Sequence, residues 1–373
     1  MDGPLSLAMH FSGIEDPRVD RSKLHQLADI LLIAICAVVG GADSFEAIEI
    51  FAEAHEQWFR RFLTLSNGVP SHDTFARVFA RISPREFERR FSEWTKTLAT
   101  TFSNEIIAID GQTLRRSHDH NSAKAAIHMV SAWAVNAGLV LAQTKVDDKS
   151  NEISAIPEVL KLLDLRGCIV TMDAMGCQQK IAQQIIDQGG DYLIGLKGNQ
   201  GTTYEAVKNH FQLIAATRRP THEETDKGHG RIEIRTYTAD NAKTVLDLKA
   251  WPGIESVIRV RSMRQVKDKT SEETRYFISS LLPNDLEKIC SATRSHWGVE
   301  NGLHYVLDET FEQDRSRIRK DNAPENFAVV RHIATNLLKQ APPAKKHSPS
   351  MNLKRIKASM DTKYLQRIIT GSH

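Results

Sequence analysis

The sequence predicts an α/β protein in which an all-helical N-terminal segment precedes a mixed sheet flanked by helices. From about residue 24 to 100 the only regular pattern is helical. After Asn104 short apolar runs alternate with amphipathic stretches, and from about His229 to Leu282 strand-like alternation returns as an insertion. A chain of 373 residues is expected to hold two or three folding units. Its composition, 41% hydrophobic and 25% charged, is that of an ordinary soluble globular protein and excludes a disordered or fibrous class.

Residues 1–23 read as an N-terminal arm. The run ILLIAICAVV (30–39) is apolar all round, but spanning a bilayer takes about 20 such residues. The acids before it (Glu15, Asp16, Asp20, Asp29) are unlike a signal peptide's basic leader. A buried core helix is expected there, with no membrane association and a cytoplasmic location. Asp43 and Glu46 then form a capping-box-like start for one helix over 45–63, which Asn67, Gly68 and Pro70 break. Ser71 caps a short helix, HDTFARVFARI. Ser83, Pro84 and Glu86 give N-cap, N1 and N3 of another, in which Phe87, Phe91 and Trp94 recur at i, i+4 and i+7.

EIIAID (105–110) is a short apolar run ending in an acid and reads as a buried strand. HMVSAWAV and LVLAQTKV follow as strands around an Asn136–Gly138 turn. Next come a helix over 153–163, the strand CIVTMD (168–173), a helix over 177–188, the strand DYLIGL (191–196), a GNQG turn and a helix over 202–215. The order β-β-β-α-β-α-β-α predicts a mixed sheet covered by helices. The insertion, about 222–283, contributes the strands IEIRTYTA, SVIRVRSM and RYFISSL. Asn284 or Asp285 caps one long helix through Phe311, and another covers 325–339. Residues 341–373 read as a basic tail with Asp361 its only acid.

The formal charge is 49 − 46 = +3, so any nucleic-acid partner must be met by clustered basic residues. Cys36, Cys168, Cys177 and Cys290 are scattered without a CxxC pair, and four reduced cysteines are expected. His118, His120, His128, His222 and His229 lack paired ligand spacing, so no zinc site is expected.

Asp110 ends the first strand of the mixed sheet and Asp173 ends the fourth. If those strands are parallel neighbours, both carboxylates project from the carboxyl edge, where open α/β sheets build their sites. Gly111, Ala174 and Gly176 let the chain turn sharply beside them. Glu300, mid-way along a later helix, supplies a third carboxylate. Such a cluster suits two Mg²⁺ ions in a phosphoryl displacement. An Asp at a strand end is equally a common turn residue, and a helix Glu a common surface residue. Spacing alone leaves a structural role open.

The strings IAIDGQTLRRS, VTMDAMGCQ, YLIGLKGNQ, GHGRIEIR and HWGVENGLHYVLDETFEQDRSRIR, in this order, resemble the DDE insertion-sequence transposases, in particular their H-repeat-associated branch. The resemblance covers about residues 24–340. It implies a ribonuclease-H-like catalytic domain over 103–340 with a strand-rich insertion between the second Asp and the Glu. It also implies a helical domain over 24–102 that binds DNA ends. By position the three acids resemble Asp110, Asp173 and Glu300, with Asp308, Glu309, Glu312 and Asp314 as rival third acids. The implied cofactor is Mg²⁺, as two ions, with Mn²⁺ able to substitute. The implied partner is double-stranded DNA, both element ends and target, cut and joined by a homodimer that synapses two ends near the nucleoid. Gln112 stands where many relatives carry Lys, and His296 and Leu307 where they carry Arg and Lys. These departures keep two alternatives open: a catalytically inactive DNA-binding relative, and a nuclease of the same fold without strand transfer.

Lys197, Asn199 and Gln200, after a strand near the acid edge, are candidates for phosphate and base contacts. Arg315, Arg317, Arg319 and Lys320 form a basic run just past Glu300 that suits a DNA backbone. Arg115, Arg116 and His118 extend the same possibility near Asp110. VPSHDTFARVFARI fits either the second helix of a helix-turn-helix or a plain helical hairpin.

Overall fold

The computed structural model describes residues 4–98, 104–118, 125–147, 151–214, 221–228, 230–246, 251–345 and 350–371. His120, His229 and Lys346 lie outside them. The helical leader holds α1 (Pro4–Phe11), α2 (Leu27–Val39), α3 (Phe45–Ala54), α4 (Glu56–Phe59), α5 (His72–Arg81) and α6 (Pro84–Leu98). Next come β1 (Ile106–Leu114), β2 (Ile127–Ala134), β3 (Leu139–Lys145), α7 (Glu152–Lys161), β4 (Ile169–Met172), α8 (Gln179–Asp187), β5 (Asp191–Leu196) and α9 (Gly201–Leu213). The strands β6 (Thr221–Gly228), β7 (Arg231–Asn241), β8 (Ser256–Val266) and β9 (Lys269–Ser279) follow. The chain ends in α10 (Leu286–His296), α11 (Tyr305–Glu309), α12 (Ala323–Gln340), α13 (Met351–Met360) and α14 (Thr362–Thr370).

All these strands join one mixed sheet in the order β3-β2-β1-β4-β5-β9-β8-β7-β6. β1, β4 and β5 are parallel, and the other neighbours are antiparallel. The parallel strands are continuous apolar runs because helices cover both faces. The strands of the inserted segment do not build a sheet of their own. β9 pairs with β5, from Leu193↔Ser279 to Leu196↔Tyr276, so the insertion prolongs the main sheet.

The apolar run over 30–39 is α2, fully buried as a core helix. Among the described residues, no helix is long and apolar enough to cross a membrane. α2 packs against α12, which is itself buried along most of its length. One apolar core joins α1–α6 to α12–α14 and to the inner residues Trp133, Val140, Leu303 and Phe311.

Three local expectations change. α3 is capped by Ser44, whose hydroxyl accepts from the Ala47 N–H at 3.2 Å, while Asp43 pairs with Arg355 at 2.7 Å. The single helix expected over 45–63 breaks at His55, whose ring bonds the carbonyls of Phe51 (2.9 Å) and Ser359 (3.1 Å). The supposed basic tail folds into α13 and α14. Lys354 donates to the carbonyls of Leu338 (2.7 Å) and Ala341 (2.6 Å) at the end of α12, where a cation also meets the helix dipole. Arg355 donates to the carbonyls of Val38 and Thr310 as well as to Asp43.

Arg355→Ala removes every one of those donors and leaves the Asp43 carboxylate without its cation. The expected loss is about 3–5 kcal/mol, read by urea denaturation. A second prediction concerns Glu88 on α6, buried beside Gln143 and Thr144 of β3. Burial, then the nearby Glu325, raises its carboxyl well above the ordinary range. The native state therefore holds a proton that the unfolded chain releases above about pH 4.3. Stability contributed by this group falls as pH rises. Glu88→Gln, neutral at every pH, should raise Tm more at pH 8 than at pH 5; an equal shift at both would show that Glu88 is not protonated in the native state.

Candidate active site

β1 and β4 run parallel in register from Ile106↔Ile169 to Ile109↔Met172, and the next residue on each is Asp110 and Asp173. The ladder thus delivers both acids side by side at the carboxyl end of the parallel strands. Asp173 leaves the strand and caps a 3₁₀ turn, Ala174–Gly176, its Oδ1 accepting from the Met175 N–H at 2.8 Å. Asp110 does not end its strand as expected. β2 is longer than β4, so the antiparallel β1–β2 ladder continues through Asp110↔Ser131 to Leu114↔Ile127. Gly111 therefore serves as space rather than as a turn. A Cβ there would collide with Glu152 and His128, which bond each other at 2.5 Å.

Glu300 is brought across by the helical segment that begins with α10. The long helix expected over 286–311 is interrupted by a π turn, Glu300–His304, in which the Tyr305 N–H reaches the Glu300 carbonyl. His304 thereby faces the acids from a buried position. Its Nδ1 lies 3.7 Å from Asp110 Oδ2 and 3.6 Å from Glu300 Oε2. Donor atoms of Asp110, Glu300 and His304 lie within 4.8 Å of one another. Asp173 stands outside that trio but lines the same cleft.

The cleft has a volume of about 440 Å³, and Asp110, Asp173, Lys197, Arg275, Trp297 and Glu300 are among its walls. Burial raises the Asp110 carboxyl to about pKa 7, and the carboxylates of Glu300, Glu152 and Asp173 add to the rise against the lowering Gly111 N–H. Burial also lowers His296 and His304, favouring neutral rings. Trp297 is 54% exposed, with the Arg275 guanidinium 4.7 Å over its ring.

The other candidates are distributed unevenly. Lys197 is exposed in the acid cleft. Asn199 donates to the Ala174 carbonyl (2.6 Å) and Gln200 to that of Cys177 (2.8 Å), so both amides tie the loop after β5 to the loop after β4. Arg315, Arg317, Arg319 and Lys320 line a different cleft, of about 770 Å³, against the start of α3. Of the rival acids, Asp308 accepts from Gln112 Nε2 through both carboxylate oxygens (3.1 and 3.2 Å), Glu312 pairs with Arg315 and Asp314 with Arg115. Sequence reasoning missed His304, Glu152, Arg275 and Trp297 as neighbours of the acids. Only His304 carried a signal, sitting four residues after Glu300 on the same helical face.

This geometry can be set beside known proteins. The family model described as "Transposase DDE domain" matches residues 101–337, and the one described as "DDE_Tnp_1-associated" matches residues 8–95. The chain belongs to the DDE transposase family. Within it, the chain is 41% identical to the H repeat-associated putative transposase YhhI of Escherichia coli (strain K12), covering 98% of each chain. It is 38% identical to the putative transposase YncI of Escherichia coli O157:H7, over 98% of this chain and 95% of that one. A piggyBac transposase synaptic complex with hairpin DNA superposes over 100% of this chain and 81% of that chain, at a TM-score of 0.42 and 12% identity, too distant to argue from.

The burial of Asp110, with carboxylates beside it, gives a stability prediction for the metal-free DDE protein. The folded pKa of Asp110 lies above its unfolded value, so its contribution to stability is lost as pH rises from about 4 to 7. In the presence of EDTA at pH 8, Asp110→Asn should be the more stable protein, by about 2–4 kcal/mol on the linkage scale. Urea titrations should show the gap closing toward pH 4, and a gap independent of pH would contradict the assignment.

Proposed function

We propose that this chain is a DNA transposase of ribonuclease-H-like fold that cuts and joins DNA ends by metal-dependent phosphoryl transfer. One observation carries the reading: Asp110 and Asp173 emerge in register from adjacent parallel strands, and Glu300 faces Asp110 from across the cleft. The sheet order β3-β2-β1-β4-β5, with β2 antiparallel between β1 and β3, supports the fold assignment.

The donor set suits a hard divalent cation, Mg²⁺ or Mn²⁺. Carboxylates converge on one cleft, and donor atoms of Asp110 and Glu300 lie within 4.8 Å of each other. Two such ions, when bound, activate the attacking oxygen and stabilise the leaving oxygen. Asp110, Asp173 and Glu300 hold their places; the backbone bond from Met175 fixes the Asp173 carboxylate, and the π turn aims Glu300. Lys197 meets a phosphate entering the cleft, with Asn199 and Gln200 bracing its loop. The basic run Arg315–Lys320, on its separate cleft, follows DNA toward the helical leader, residues 24–102, which reads element ends. A homodimer brings two ends together.

Nicking of supercoiled plasmid in Mg²⁺ or Mn²⁺ tests the proposal. Asp173→Asn should cut at least ~100-fold more slowly, since a ligand essential to charge stabilisation is lost. Nicking that survives Asp173→Asn would refute the second acid. DNA binding without nicking by the native protein, on plasmids carrying its element ends, would identify an inactive DNA-binding relative.

A further inference from the structure

The π turn that carries Glu300 also carries a buried histidine, His304. An α-helical turn closes on the fourth residue, but here the Tyr305 N–H reaches back five residues to Glu300. Gly302 in the widened turn faces Trp133 of β2, where a Cβ would stand 3.0 Å from the indole. His304 consequently faces both Asp110 and Glu300.

His304 is 7% exposed. Among the described residues its Nε2 has no hydrogen-bond partner, and its Nδ1 faces Asp110 and Glu300 at 3.7 and 3.6 Å. A neutral imidazole nitrogen set between two carboxylates is a suitable donor for a cation that those carboxylates also bind. Donors bound about 2.1 Å from one ion stand up to about 4.2 Å apart across it. The three donor groups here lie within 4.8 Å of one another, so sub-ångström closure would place all of them on a single ion.

We propose that His304 Nδ1 is a ligand to the divalent ion shared by Asp110 and Glu300, making that position a mixed nitrogen–oxygen site that favours Mn²⁺ over Mg²⁺. This rests on the acid-cluster reading above. Mg²⁺ seeks oxygen donors and dehydrates reluctantly, whereas an imidazole is better matched to a transition-metal ion. Asp173, outside the trio, leaves a second position to oxygen ligands.

The test uses the full chain, stripped with EDTA and given one equivalent of Mn²⁺. Electron spin-echo envelope modulation detects directly bound ¹⁴N, and calorimetry gives Mn²⁺ and Mg²⁺ affinities. The native protein should show nitrogen modulation that disappears in His304→Gln, with Mn²⁺ affinity reduced about tenfold or more and Mg²⁺ affinity reduced less. Bound Mn²⁺ without nitrogen modulation overturns the proposal and leaves the acid site standing. Modulation that persists in His304→Gln also overturns it and points to His128 or His296. Should His304→Gln fail to fold, His128→Gln and His296→Gln decide: modulation kept by both supports His304, and its loss in either refutes it. Failure of the native protein to bind Mn²⁺ at all refutes the acid-cluster reading itself.

Discussion

The side-chain amide of Asn336 stands where a tenth strand would begin. Its Oδ1 accepts the Val140 N–H at 2.8 Å and its Nδ2 donates to the Val140 carbonyl at 2.8 Å. β3 is an edge strand, and an edge buried under a helix must have its backbone groups satisfied by something other than another strand. Thr95 of α6 supplies a neighbouring bond, to the Leu141 carbonyl at 3.0 Å. At the other end of α12, Asn326 donates to the carbonyls of Phe79 and Ile82, in the last turn and at the C-cap of α5. α12 is thus bonded to the sheet at one end and to the leader at the other. The same core receives Leu303 and Phe311, which flank the helix end after Glu300. The acid cleft and the helical leader therefore rest on one common support.

That support is set against an unfavourable feature. Asp110 is held in a partly buried place near Glu300, Glu152 and Asp173, where burial first and those carboxylates second raise its proton affinity. Natural sites often hold such repulsion because function requires it, while the surrounding core supplies the compensating stability. The apolar residues beneath the acids are almost wholly excluded from solvent, Ile107, Ala108 and Val170 among them. The polar loops above are tied by Asn199 and Gln200 to backbone carbonyls. Rigid support below and braced loops above are what a preorganised charge site needs.

Much of this was legible in the chain itself. β1 to β5 stood out because the apolar runs are short and bounded by turn residues, and the run Asp191–Leu196 was read at its observed limits. The closeness of Asp110 and Asp173 depended on a condition, parallel neighbouring strands, that only long-range register can meet. β6, with the sequence THEETDKG, has no apolar alternation to read, because both faces of that outer ribbon are largely exposed. The last two helices were hidden by their lysines and arginines. Tyr364, Leu365, Ile368 and Ile369 do mark an apolar stripe, but Lys354 and Arg355 are buried by carbonyl acceptors that no local pattern reveals. The basic run after Glu300 was close to the acids in sequence yet faces another cleft, since the chain turns away after α11.

The π turn has a genetic consequence. It contains one residue more than an ordinary helix would use, and each residue of an α-helix advances the direction of its side chain by about 100°. Loss of a single codon between Glu300 and His304 would let the helix close normally. Because the wide turn already absorbs that extra residue, the positions after it, Leu307 and Phe311 among them, would keep their directions into the core, and only the turn itself would narrow. A one-residue in-frame deletion is thus absorbed at this turn, whereas the same deletion within α10 would rotate everything after it by that angle and turn Glu300 off the acids.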